Sequence, residues 1–162
     1  MTQQEFQHKY LPLAPQFYRR ALALLGNAQD AEDAVQDTYL KLWNQSTRLE
    51  RMEQPEAFMQ TVLRNVCLNM LRKRHTPENE LDMADKLPEE GDDIGRVEQQ
   101  GTLRMLLDSL SPKARRMVTL RHLGDFSYEE MAALTGETEG NIRTILSRAR
   151  RFLKERYREL TK

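Results

Sequence analysis

The stretch LTGETEGNIRTILSRARR, residues 134–151, holds a helix stop, a turn and a helix start in close succession. Gly136 suits the left-handed end of a preceding helix, and Thr138 suits the cap of the next. The residues that follow separate cleanly on a wheel of about 100° per residue. Ile142, Ile145, Leu146, Ala149, Phe152 and Leu153 fall within an arc of about 120°. Arg143, Thr144, Ser147, Arg148, Arg150, Arg151 and Lys154 fill an opposing arc of roughly 160°. One face is built to dock on a small core, and the other is basic with small hydroxyls between the cations. Ser127 through Glu130 is a capping box that starts the preceding short helix. Short helix, three- to four-residue turn and second helix is helix-turn-helix spacing. In that motif the second helix enters the DNA major groove led by its N-terminal residues, where arginine can fork onto guanine edges or phosphates. A lone arginine-rich helix would read as a solvated basic face; the cap, glycine, turn and one-sided arc together favour DNA.

Working toward the N-terminus, Ser111-Pro112 pairs an N-cap with proline at the first helical position, predicting a helix through about His122. Leu103, Leu106, Leu107 and Leu110 give an i, i+3, i+4, i+7 set before it. The segment TPENELDMADKLPEEGDDIG, residues 76–95, has prolines, glycines and many carboxylates but little periodicity, and reads as a flexible linker. At the start of the chain Thr2-Gln3-Gln4-Glu5 is a capping box, and Phe6, Tyr10, Leu13, Phe17, Ala21 and Leu24 keep helical spacing. Pro12 and Pro15 break that run into two pieces or a kink. Gly26-Asn27 closes it, and Asn27 caps a second helix reaching about Asn44, with Ala31, Ala34, Val35, Thr38 and Leu42 inward. A polar loop is expected over 45–54. Pro55 then opens a third helix ending in Arg72-Lys73-Arg74. No strand pattern occurs. The expected fold is all-α: two small helical domains, 1–75 and 102–162, joined by an acidic flexible linker, 76–101.

The chain has 162 residues and zero formal net charge, but the neutrality is a cancellation. Residues 1–75 carry 10 basic and 8 acidic side chains, residues 76–99 carry 2 and 9, and residues 100–162 carry 13 and 8. Near-neutral, acidic, basic is the order expected of two functional parts on a charged connector. The single cysteine, Cys67, excludes an internal disulfide and reads as ordinary packing. His8, His75 and His122 have no metal-ligand spacing. A polar N-terminus without a long apolar run gives neither signal peptide nor membrane span, so a cytoplasmic protein without metal or cofactor is expected.

On the second helix Asp30, Asp33 and Asp37 share a side bordered by Gln36 and Leu40. An acidic face with an exposed leucine fits a basic protein partner better than it fits catalysis, since no histidine, nucleophile or ligand cluster accompanies it. On the third helix Thr61, Asn65, Leu68 and Arg72 share a side with Arg64 adjoining, while Met59, Val62, Leu63, Val66 and Met70 point away.

Three stretches carry a family resemblance: AEDAVQDTYLKLW (31–43), FMQTVLRNVCLNMLRKR (58–74) and FSYEEMAALTGETEGNIRTILSRARRFLKE (126–155). Together they resemble regions 2 and 4 of bacterial sigma factors, and most of all the extracytoplasmic-function (ECF) group, which has only those two domains. The resemblance implies a chain that joins core RNA polymerase and directs it to promoter DNA with −35 and −10 elements. It implies that Asp33, Gln36, Asp37, Leu40 and Trp43 grip the clamp helices of the polymerase β′ subunit. Thr61, Arg64, Asn65, Arg72 and the adjacent Lys73 fall where the family captures the non-template strand of the −10 element. Arg143, Thr144, Ser147 and Arg148, with Arg150 and Arg151 on the same arc, fall at the −35 reader, and Arg121 falls at a backbone contact. Ile145 departs from the pattern, which often has a basic residue there; on the wheel it faces the core. An anti-sigma factor is a further partner that the resemblance leaves open. A stand-alone helix-turn-helix regulator is the alternative, but it gives the Asp33/Asp37 face no role. Sequence-independent DNA affinity comes largely from neutralised phosphates, so a neutral chain is expected to bind duplex weakly alone.

Overall fold

The computed structural model describes residues 1–74 and 104–161, and among these every regular element is a helix. The chain divides into two compact units, Met1–Pro88 and Glu89–Lys162. The acidic linker and Leu103 lie outside the described residues.

In the N-terminal unit α1 spans Gln3–Tyr10, a 3-10 turn Leu11–Leu13, and α2 Ala14–Leu25. The two prolines thus divide the first helical run into two helices joined by a tight turn. Thr2 and Glu5 form the expected reciprocal capping box. Gly26 ends α2 at φ 84°, and its N–H donates to the Leu22 carbonyl at 2.8 Å. α3 follows over Ala28–Asn44, capped by Asn27, whose Oδ1 accepts from the Asp30 N–H at 2.8 Å. The remaining helices are α4, Ser46–Glu50, and α5, Pro55–Arg74.

Helices α2, α3 and α5 pack on one another. Their shared core holds Phe17, Leu24 and Leu25 of α2, Ala31, Ala34 and Leu42 of α3, and Met59, Leu63, Cys67 and Leu71 of α5. Ala21, Ala31 and Ala34 are fully buried, and their small side chains let the backbones approach closely. Thr38 is the buried polar side chain among the described residues, and its hydroxyl donates to the Ala34 carbonyl at 2.7 Å. That bond meets the cost of desolvating the hydroxyl. α1 is fastened to α3 by aromatics: Phe6 lies edge-on to Tyr10 and Trp43 at centroid distances of 5.2 and 5.3 Å. The Tyr39 hydroxyl donates to the Tyr10 carbonyl at 2.7 Å.

Burial pushes the Cys67 thiol up to about 12. The thiolate is the reactive form, so Cys67 is shielded both by packing and by protonation. The native protein is expected to resist iodoacetamide near neutral pH. Mass spectrometry should find alkylation only after denaturation.

Three expectations change in this unit. Residues 45–54 are not wholly loop, because α4 turns inward and buries Leu49. Leu68 is buried rather than aligned with Thr61 and Asn65; α5 packs against both α2 and α3, so its buried arc is wide enough to include it. Asp30 leaves the acidic face: it pairs with Arg74, whose other guanidinium nitrogen donates to the Leu25 carbonyl at 2.6 Å.

In the C-terminal unit residues 104–108 are helical, followed by α6, Pro112–His122, α7, Tyr128–Thr135, and α8, Glu139–Leu160. Ser111, Ser127 and Thr138 cap α6, α7 and α8 as expected, Ser127 again with a full capping box. Leu106, Leu110, Met117, Leu120, Phe126, Met131, Leu134, Ile142, Leu146 and Ala149 form the core. Phe152, expected inward, is 42% exposed. α8 outlasts the helices it packs on, and no described residue beyond Ala149 is buried.

Candidate nucleic-acid interface and acidic face

The turn between α7 and α8 is Gly136–Thr138. Gly136 adopts φ 77°, a conformation costly for residues bearing a Cβ, and its N–H donates to the Ala132 carbonyl. Glu137 ties the turn to α6 and α8, accepting from Lys113 at the start of α6 and Asn141 in the first turn of α8. The Lys113 and Asn141 hydrogen bonds hold its carboxyl below the usual carboxylate range.

Beyond this turn Arg143, Thr144, Ser147, Arg148, Arg150 and Arg151 are all exposed. Among the described residues no carboxylate pairs with Arg143, Arg148, Arg150 or Arg151. Thr144 donates its hydroxyl to the Gly140 carbonyl at 3.1 Å. Ile145 is half-buried, on the packed side of the helix. Among the described residues the face opposite the core is therefore cationic and without a paired carboxylate, which suits a polyanion. Arg121 differs from the others. It is half-buried, donates to the Phe126 carbonyl at 2.9 Å, and lies over the Tyr128 ring at 4.6 Å from the centroid. Arg143 reaches the same ring at 4.2 Å. No local spacing signals this contact, because Tyr128 meets each arginine only through the tertiary fold.

On α5 the side chains of Thr61, Asn65 and Arg72 are exposed along one strip, with Arg64 half-buried beside them. Arg64 donates to Asn65 Oδ1 at 2.9 Å. Asn69 is also exposed and extends the strip, a polar residue at i+4 from Asn65 that the spacing could have supplied. Lys73 is exposed but lies about 100° round the helix from Arg72. Arg74, the end of the basic triplet, is turned inward to Asp30 and Leu25.

On α3 the side chains of Asp33, Gln36 and Asp37 are exposed, and Leu40 is 64% exposed. Asp37 approaches Lys41 at 3.8 Å. Trp43 is half-buried, its ring held by Phe6. The structure thus gathers an acidic surface with an apolar tip, bordered by a fixed aromatic. Such a surface combines charge complementarity for a basic partner with area to desolvate.

Two family models match the chain, one in each unit. Residues 10–76 match the family model described as Sigma-70 region 2, and residues 100–153 match Sigma-70, region 4. The ECF RNA polymerase sigma factor SigE of Mycolicibacterium smegmatis is 30% identical over 151 residues, covering 88% of this chain and 57% of that protein. The ECF RNA polymerase sigma factor EcfG of Rhodopseudomonas palustris is 30% identical over 142 residues, covering 86% of this chain and 78% of that one. A solved structure of the sigma factor RpoE from Bartonella quintana, in complex with the anti-sigma factor NepR, is 30% identical with a TM-score of 0.49; the match covers 94% of this chain and 96% of that one. With both sigma regions present in order and relatives of this extent, the chain belongs to the extracytoplasmic-function group of RNA polymerase sigma factors.

Proposed function

We propose that the chain binds core RNA polymerase through the α3 face and directs it to promoters through α5 and α8. Asp33, Gln36, Asp37, Leu40 and Trp43 dock on the clamp helices of the β′ subunit. Thr61, Arg64, Asn65, Arg72 and Lys73 take the non-template strand of the −10 element. Arg143, Thr144, Ser147, Arg148, Arg150 and Arg151 face the −35 element in the major groove, and Arg121 supports the DNA backbone contact. The working boundaries are 1–75 for the polymerase and −10 part, 76–101 for the connector, and 102–162 for the −35 part. One observation carries this reading: exposed arginines on the second helix of a helix-turn-helix coexist with an exposed acidic, leucine-tipped face in the other unit. That second surface has no task in a stand-alone regulator. Bond-making belongs to the polymerase in this scheme, so the chain needs no catalytic group, and its place of work is the cytoplasm. Run-off transcription with purified core polymerase tests it. Start sites should appear only when the chain is added, and their absence with an active core would refute the proposal.

Within α8 the arginines have separable tasks. Arg148 forks onto a base edge, so Arg148→Ala should cost roughly 1–3 kcal/mol and relax selectivity at one or two −35 positions. Arg151 lies farther along and touches phosphate, so its replacement should weaken all sequences alike and reduce the salt slope by about one unit. Titrating each mutant holoenzyme against single-base −35 variants at two salt concentrations distinguishes the outcomes. Arg143, nearer the head of the helix, is a second candidate for base reading, and an even loss across the panel for Arg148→Ala would leave that role to Arg143 alone.

A further inference from the structure

We infer that Tyr128 is a specificity-determining positioning residue whose ring orients the Arg143 guanidinium for base reading at the head of α8. The inference rests on Arg143 being a −35 contact. Tyr128 is the first residue of α7, half-buried, and its ring receives one cation from each neighbouring helix. The Arg121 guanidinium of α6 lies 4.6 Å from the ring centroid and that of Arg143 in α8 lies 4.2 Å from it. Two guanidiniums brought to one place repel each other, and the negative face of an aromatic ring offsets that repulsion. Arg121 cannot readily swing away, because it also donates to the Phe126 carbonyl at 2.9 Å. The ring with Arg121 therefore forms a fixed seat, and Arg143 rests on it.

Seating does not consume the chemistry that DNA needs. When a guanidinium stacks flat on a ring, its five N–H donors stay in its own plane and point past the ring. A seated Arg143 keeps donors available to fork onto guanine O6 and N7. No carboxylate among the described residues competes for it. An arginine without such a seat samples many rotamers and loses that freedom on binding; a seated one has already lost much of it. The position is appropriate, since Arg143 lies five residues after the Thr138 cap, close to the end of a recognition helix that leads into the groove. The ring makes these contacts, and among the described residues the Tyr128 hydroxyl has no hydrogen bond.

The test uses holoenzyme reconstituted from core polymerase and full-length variants, titrated against promoter DNA carrying each single-base −35 change. Tyr128→Leu and Tyr128→Met both remove the π face while keeping apolar bulk, and the variant with the more native melting curve carries the comparison. It should bind the preferred sequence roughly three- to fivefold more weakly, with discrimination reduced at the same base pair that Arg143→Ala affects. Tyr128→Phe should restore wild-type affinity and discrimination. In an Arg143→Ala background, loss of the ring should add nothing. A Tyr128→Phe protein as defective as the ringless one would give the work to the hydroxyl and overturn the inference. So would a ringless defect spread evenly over all base pairs, or one that adds fully to Arg143→Ala. If Arg143→Ala itself leaves the panel unchanged, the base-reading role of Arg143 fails and takes the inference with it. If Arg143→Ala flattens the panel but the ringless variant does not, only the role of Tyr128 falls.

Discussion

Replacing Asp33 and Asp37 together by arginine is expected to abolish binding to core polymerase while leaving the N-terminal unit folded. Both side chains are exposed on α3, beside a leucine that is 64% exposed. The local cost is small. Asp37 loses its approach to Lys41, an exposed i,i+4 contact worth about 0.3–0.5 kcal/mol, and Asp33 loses no ion pair that the structure shows. The cost at an interface is larger, because two reversed charges face a basic partner at close range. Like-charge juxtaposition there costs several kcal/mol, so core affinity should fall at least about a hundredfold. Competition for core against the unaltered chain measures the effect, with melting and helicity as controls. Equal competition by the two proteins would show that polymerase is held elsewhere.

Phe126→Ala should have the opposite character, destroying one unit and sparing the other. Phe126 is fully buried although it belongs to the loop joining α6 to α7. It follows Asp125, whose φ of 52° turns the chain, and precedes the Ser127 cap. Its N–H donates to the Leu120 carbonyl at 3.3 Å and its carbonyl holds Arg121. Truncation of a buried phenylalanine costs roughly 3–5 kcal/mol, which is most of the stability a domain this small possesses. The C-terminal unit should be largely unfolded at ordinary temperature, and promoter selection should be lost with it. The single tryptophan, Trp43, lies in the other unit, so its fluorescence should remain native while far-UV helicity falls. Core binding should persist through α3. A thermal transition of unchanged amplitude and midpoint would mean that the cavity collapses at little cost.

What was legible in the sequence was local. Thr2, Asn27, Ser111, Ser127 and Thr138 cap their helices as read, because a cap is decided by a side chain and an N–H three residues away. The exposed arc of α8 was legible for a related reason: one helix packed along one side obeys its wheel. The misses arose where a segment was too short, ran past the core, or met a second element. α4 has five residues and a single apolar anchor, too few to show a period. Leu68 lies at the margin of a helix packed on two sides, and Phe152 lies past the end of the core. Asp30 and Arg74 are separated by 44 residues, and their pairing withdraws one charge from the acidic face and one from the basic triplet. Tyr128 belongs with these, an aromatic whose partners arrive from two other helices.

Arg74 also determines how tension enters the N-terminal unit. The last residue of α5 is fastened at the corner where α2 passes into α3, by the Leu25 carbonyl and the Asp30 carboxylate. A pull on the chain beyond it is therefore shared among three helices. Peeling the final turn of α5 would first require breaking a charge-assisted bond. Upstream of that anchor, the strip from Thr61 to Arg72 is insulated from the drag of whatever follows it in the chain.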